Sequence, residues 1–239
     1  MSQKVVASFA YTAKNIPSNK KAANQETDLK NLNQAFNNIL LGEEIITLLE
    51  NAYGEIGAIL SQVKHWVSPG LASNVEDSQK TMLEVKICLR LRELDRLAET
   101  LTHKGQKLLN GTLSASVETN LHSFLLVGTS SSPENRINLN TSLNVPSISS
   151  ENLGLGELSI SSQQKRLKGL MMLENAFAFI TRLKQRSTVL GAHLQKINLH
   201  LSASIENHHA ASTAPDSFER AGEFIRVATD FIKKHKGEY

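Results

Sequence analysis

The sequence predicts a mainly α protein: an elongated bundle of long antiparallel helices with a small β-hairpin insert. Three observations lead there. Apolar residues recur seven apart over two long stretches, which is the signature of a sustained helical seam. Only five prolines and 13 glycines occur in 239 residues, so long elements go uninterrupted. Between the periodic stretches, residues 106–160 turn rich in Ser, Thr and Asn and carry short β-prone pieces, which suits an insert on a bundle and not a doubly wound sheet.

Residues 1–27 are polar and weakly patterned, and Pro17 with Ser18-Asn19-Lys20-Lys21 argues for an irregular lead-in. A first helix is expected over 28–67, with Asp28 as its N-cap. Leu32, Ile39, Ile46, Tyr53, Leu60 and Val67 share one heptad position, and Ala35, Gly42, Leu49, Ile56 and Val63 share the other. Ser68-Pro69-Gly70 must stop it. Ser73-Asn74-Val75-Glu76 has the spacing of a capping box and opens a second helix, 73–104, ending near Gly105. Its apolar stripe is Leu83, Ile87, Leu94, Leu97 and Leu101, interrupted by Arg90. The short connection makes the first two helices an antiparallel hairpin.

Within 106–160 the β-prone pieces are 123–127, 137–139 and, ended by Pro146, 141–145; the turn-like Ser132-Pro133-Glu134-Asn135 separates the first two. A third long helix is expected over 161–207. Leu173, Ile180, Leu194 and Leu201 form one row of its seam, and Ala176, Leu183, Leu190, Ile197 and Ser204 form the other. His208-His209 through Pro215 should break it. Residues 208–239 are expected to be a short amphipathic helix, about 217–234, and a tail, with Phe218, Phe224 and Phe231 on the apolar face.

Composition narrows the function classes. A net charge of +3 is too small to argue for nucleic acid or an anionic membrane, and aromatics at 5% leave little for base stacking. Apolar runs fall short of a membrane span, and the N-terminus lacks the apolar core of a signal peptide. The lone Cys88 has no partner for an internal disulfide and is expected to be buried and inert. His193, His200, His208 and His209 fit solvent-facing positions better than a metal site, since no HExxH or Cys/His cluster accompanies them. Glu43, Glu44, Glu50 and Glu55 fit a solvated or subunit-facing surface better than paired acid–base carboxylates. With no nucleophile triad or phosphate loop, the expectation is no enzyme, no catalytic or cofactor-binding residue, no metal, no cofactor and no small-molecule substrate. Arg90 either snorkels at the bundle edge or forms an ion pair, with Glu174 or Glu50 as partners.

The order of short pieces resembles the bacterial flagellins. Leu32-Asn33-Gln34-Ala35, Asn37-Asn38, Gly42 and the run from Glu50 to Ile56 are similar to that family's first core helix. Arg90-Leu91-Arg92-Glu93-Leu94-Asp95-Arg96 resembles its second helix, and Lys107-Leu108-Leu109-Asn110-Gly111 the turn that follows. Leu126-Val127-Gly128, Leu153-Gly154-Leu155 and Leu158-Ser159-Ile160-Ser161 resemble the pieces of the strand segment and the approach to the returning helix. Arg186-Ser187-Thr188-Val189-Leu190-Gly191-Ala192 resembles a motif of that helix with one extra residue.

This resemblance, over about residues 28–205, implies a flagellin-like core domain and a structural subunit of, or associated with, the bacterial flagellar filament. Its partners would be other filament subunits and the flagellar export apparatus, with no nucleic acid. Its place would be extracellular, on the flagellum, reached without a cleaved signal. The seam and assembly residues would be Leu32, Ile39, Ile46, Leu49, Ile56, Leu60, Val63, Leu94, Leu97, Leu173, Ile180, Leu183, Leu190 and Leu194. Gln62, Lys86, Arg90 and Glu93 would face partners. The chain departs from the family in lacking a recognisable N-terminal core helix and in ending Lys233-Lys234-His235-Lys236-Gly237-Glu238-Tyr239. The stretch Leu60-Ser61-Gln62-Val63-Lys64-His65-Trp66 and Lys86 also depart from the surface read by the animal Toll-like receptor, which implies weak activation. A non-polymerising homologue that acts as a binding module, or a hook–filament junction-type protein, is the alternative.

Overall fold

The computed structural model describes residues 18–68, 76–130, 132–213, 225–227 and 229–230. Two helices of near-equal length dominate: α1, Ser18–Val67, and α4, Gln163–Thr213. At 1.5 Å per residue each is about 75 Å long. They run antiparallel: Glu43 accepts a hydrogen bond from Asn198 Nδ2 (3.4 Å), Glu50 from Thr188 Oγ1 (2.7 Å), and Lys64 pairs with Glu174. As the number rises on one helix it falls on the other. The shorter α2, Asp77–Thr100, lies against α1 and buries Ile87, Leu94 and Ala98. The result is an elongated, mainly helical bundle carrying small antiparallel hairpins.

Heptad arithmetic accounts for the α1–α4 contact. Leu32, Ile39, Ile46, Tyr53, Leu60 and Val67 are buried, as are Ala35, Gly42, Leu49, Ile56 and Val63. From α4 the same core receives Leu173, Ala176, Ile180, Leu183, Leu190, Leu194 and Leu201. Ser187 falls on that row too, seven residues from Ile180 and from Leu194, and is fully buried.

Element boundaries differ from expectation in four places. Helix α1 opens at Ser18, so 18–27 is helical and not an irregular lead-in; Lys20-Lys21-Ala22-Ala23 and Gln25-Glu26 are strong helix formers that extend the periodic region backwards. Residues 1–17 lie outside the described residues. Helix α2 begins at Asp77; the expected capping box lies outside the described residues apart from Glu76, which makes no side-chain cap bond. It ends at Thr100, because Lys104 (φ 48°) and Gly105 (φ 81°) form the two-residue turn of a tight hairpin between β1, Thr102–His103, and β2, Gln106–Lys107. Helix α4 passes through His208-His209 to Thr213, since histidine does not break a helix and Ala210-Ala211 favour one. Of the expected C-terminal helix, 225–227 and 229–230 are helical; Phe218, Phe224 and Phe231 lie outside the described residues.

The insert holds the expected hairpin. Strand β3, Phe124–Leu126, pairs antiparallel with β4, Arg136–Asn138, in the register Leu125 opposite Ile137. A third strand over 141–145 was expected, but Leu139–Leu143 is the short helix α3. Asn138 caps it by accepting from Thr141 N (3.2 Å), and Asn144, left-handed at φ 46°, ends it. Both asparagines override the β-branched Thr141. The hairpin sits on α1: Asn38 Nδ2 donates to Leu126 O (3.0 Å), and Leu125 packs against Gly42.

Candidate assembly surface

The residues named for the seam lie inside the chain. Leu32, Ile39, Ile46, Leu49, Ile56, Leu60 and Val63 of α1 are buried, as are Leu94 of α2 and Leu173, Ile180, Leu183, Leu190 and Leu194 of α4; Leu97 is half-buried at the α2 edge. A side chain enclosed by its own chain is not available to cover a neighbour. These residues therefore set the frame, and contact with anything else falls to the outward faces.

Two open grooves mark those faces. The first, about 720 Å³, runs between α1 and α2 and is lined by Glu55, Gln62, His65, Arg90, Glu93 and Arg96. It collects three of the four residues named as partner-facing. The fourth, Lys86, is exposed on α2 away from it. Arg90 pairs with Glu93 one helical turn along α2, both side chains part-exposed. The two partners expected for Arg90 are engaged elsewhere: Glu174 with Lys64, and Glu50 with Thr188. The reason is position, because those glutamates lie along the α1–α4 edge.

The second groove, about 810 Å³, lies between α4 and the β4–α3 segment. Arg136 enters it from β4, and Arg182, Arg186, Val189 and His193 from α4, where they recur at i, i+4, i+7 and i+11 along one face. Phe179 lies beneath Arg182, 6.0 Å from the guanidinium carbon to the ring centre. Sequence reading missed this groove. Its signal was the absence of any Asp or Glu between Asn175 and Ile205.

Elsewhere the chemistry-bearing side chains are dispersed. Among the described residues no group of three His, Cys, Asp or Glu is placed to hold a metal ion, and no helix is long and apolar enough to cross a membrane. His193 and His200 are exposed on α4. Cys88, expected to be buried, is exposed: Ile87 takes the core-facing position, and the next residue on a helix turns about 100° away. Glu44 meets His103 Nε2 at 3.0 Å, tying α1 to the first hairpin.

Polar side chains also fix the insert, and sequence reading assigned none of them. Asp95 accepts from Ser150 N (2.6 Å) and Ser150 Oγ (2.8 Å), and Glu84 accepts from Ser159 Oγ (2.8 Å) and Ile160 N (3.1 Å). Two carboxylates on α2 thus hold the irregular segment 150–160 at either end. Asn140, fully buried, donates to Thr112 O (2.8 Å) and Ser114 O (2.9 Å) and accepts from Ser123 N (2.8 Å). It satisfies three backbone groups from two stretches of the insert at once.

No protein-family model matches the chain. It is similar to the flagellar filament 30.7 kDa core protein of Treponema maltophilum. The two are 22% identical over 209 residues, which cover 82% of this chain and 70% of that protein. The likeness spans the helical frame and the insert together and is not confined to one motif.

Proposed function

We propose that this chain is a structural subunit of, or associated with, a bacterial flagellar filament, and that it acts by packing helix faces between copies. The observation that carries the reading is the likeness to a flagellar filament core protein across most of both chains. The architecture supports it. Helices about 75 Å long, closed on each other by an apolar seam, form a stiff rod whose outward faces remain for neighbours. The side chains that could do chemistry are scattered over those faces, which favours a structural role over a catalytic one. Packing would draw on buried apolar area and be steered by surface charge. A repeated contact between two different faces, where its rotation does not close into a ring, generates a helical filament. On this reading the chain works outside the cell, after export through the flagellar apparatus.

The test is electron microscopy of the purified full chain, salted out with and without short flagellar seeds. Filaments of flagellar diameter, or extension of the seeds, is the expected result. Monomers or small oligomers with unextended seeds would overturn the self-assembling reading and favour a non-polymerising binding homologue.

A further inference from the structure

We propose that the arginine-lined groove between α4 and the β4–α3 segment is the docking site for a second copy of this chain, and that it receives the glutamate-bearing stretch of α1. The inference rests on the filament reading and names the surfaces that would join. Arg136, Arg182 and Arg186 are exposed around the groove, and among the described residues none of the three forms an ion pair. Three guanidiniums gathered without a carboxylate repel one another and gain by meeting acidic groups. Between them Val189, 72% exposed, offers an apolar contact. The partner should therefore be acidic and partly apolar.

The chain itself supplies such a surface. From Asn31 to Val63, α1 carries Glu43, Glu44, Glu50 and Glu55 and no Lys or Arg. From Asn175 to Ile205, α4 carries Arg182, Lys184, Arg186 and Lys196 and no Asp or Glu. Glu43 and Glu50 meet only an amide and a hydroxyl within their own chain, Asn198 and Thr188, and Glu44 meets His103. Leu40, exposed one turn before Glu44, provides the apolar counterpart to Val189. Glu43 and Glu50 share the heptad row that also holds Lys64, whose partner row on α4 contains Glu174 and Thr188. Arg182 and Val189, with Arg186 and His193, occupy the rows that turn away from that edge. Donor and acceptor surfaces thus lie on different sides of the helix pair. Groove against groove would set arginines against arginines, so a closed two-fold dimer through this site is disfavoured. Groove against α1 leaves a free groove at one end and a free acidic stretch at the other, and growth can continue.

A charge-exchange experiment on the full chain tests this. One variant carries Arg182→Glu and Arg186→Glu; the other carries Glu43→Lys, Glu44→Lys and Glu50→Lys. Arg182, Arg186 and Glu44 are exposed, while Glu43 and Glu50 are half-buried at the α1–α4 edge, and circular dichroism with thermal melts checks that both variants keep the helical signal of the parent. Self-association is followed by analytical ultracentrifugation and electron microscopy. Each variant alone should associate about tenfold more weakly than the parent or worse, since like charges then face each other. An equal mixture should recover association, because each groove again meets an α1 of opposite sign. Variants that associate like the parent, or a mixture that stays dissociated, would overturn the inference while parent filaments keep the filament reading. Recovery in the mixture without filaments from the parent would uphold the groove contact and overturn the filament reading. A parent that stays monomeric would overturn both.

Discussion

Tyr53 of α1 and Ser187 of α4 meet inside the α1–α4 seam, 1% and 0% exposed, and neither hydroxyl makes a well-formed hydrogen bond. Burial pushes the Tyr53 phenol above its ordinary range of 10.0, and the nearby Ser187 hydroxyl opposes that shift. Buried hydroxyls without partners destabilise a core, so the double variant Tyr53→Phe/Ser187→Ala should raise stability by about 1 kcal/mol. Urea denaturation of the monomer at low concentration measures it.

The same phenol makes a pH prediction. Its folded-state value lies above the unfolded one, so the folded chain holds that proton longer than the unfolded chain does. The associated stability is complete below the unfolded value, about 10, and falls as pH rises above it. Alkaline unfolding of the parent should therefore be steeper above that pH than that of Tyr53→Phe. Superimposable alkaline curves would refute the assignment.

Gly42 and Gly54 lie on the same helix and should respond oppositely to alanine. A Cβ at Gly42 would stand 2.6 Å from Leu125 Cδ1 and 2.8 Å from Leu194 Cδ1, where α1, α4 and the hairpin converge. Repacking two buried leucines costs about 1–3 kcal/mol, more than the roughly 1 kcal/mol of helix propensity gained, so Gly42→Ala should destabilise. At Gly54 a Cβ meets nothing within 4 Å, and Gly54→Ala should stabilise by about 0.5–1 kcal/mol. Thermal melts of the two variants side by side decide it.

Asn140 should be the most sensitive polar residue of the insert. Asn140→Ala removes three hydrogen bonds, taking their Asn140 partner from Thr112 O and the Ser123 amide and leaving the buried Ser114 with only Val117 N (3.3 Å) on its carbonyl, at a cost of about 3 kcal/mol. Hydrogen exchange should quicken at Ser123 and through the β3–β4 hairpin before the α1–α4 pair responds.

Asp95→Ala should act on a different segment. It removes both bonds to Ser150, which at about 1 kcal/mol or more each for a charged acceptor predicts a loss near 2 kcal/mol. Protection should fall at the Ser150 amide while Asn140 and its partners remain protected. Equal loss at both sites would mean the insert unfolds as one unit.

The helical frame was legible because its periodicity is physical: a seven-residue repeat of Leu, Ile and Ala leaves one face to bury, and α1 and α4 bury it against each other. The β3–β4 hairpin was legible from its β-prone runs and the turn between them. The β1–β2 hairpin was not, since its strands are two residues long and carry no alternation. Helix α3 was hidden because Thr141 and Val145 favour strands, whereas the deciding residues were the capping Asn138 and the left-handed Asn144. For the surface, single residues such as Gln62 and Arg90 could be placed by resemblance. The arginine groove could not, because Arg136 comes from the hairpin and Arg182 and Arg186 from α4, and only the folded chain brings them together.

The buried hydroxyl pair also bears on alignment. A seam of repeated leucines and isoleucines fits almost as well when one helix slides by a heptad, about 10.5 Å. In either slipped alignment Tyr53 would face Ile180 or Leu194 in place of Ser187, and its phenol would lose its one polar neighbour. The pair lowers stability in the observed alignment but lowers it less there than in any neighbouring one. It acts as a key that lets two rods of repetitive sequence settle at a single offset, so every copy presents its outer faces at the same height.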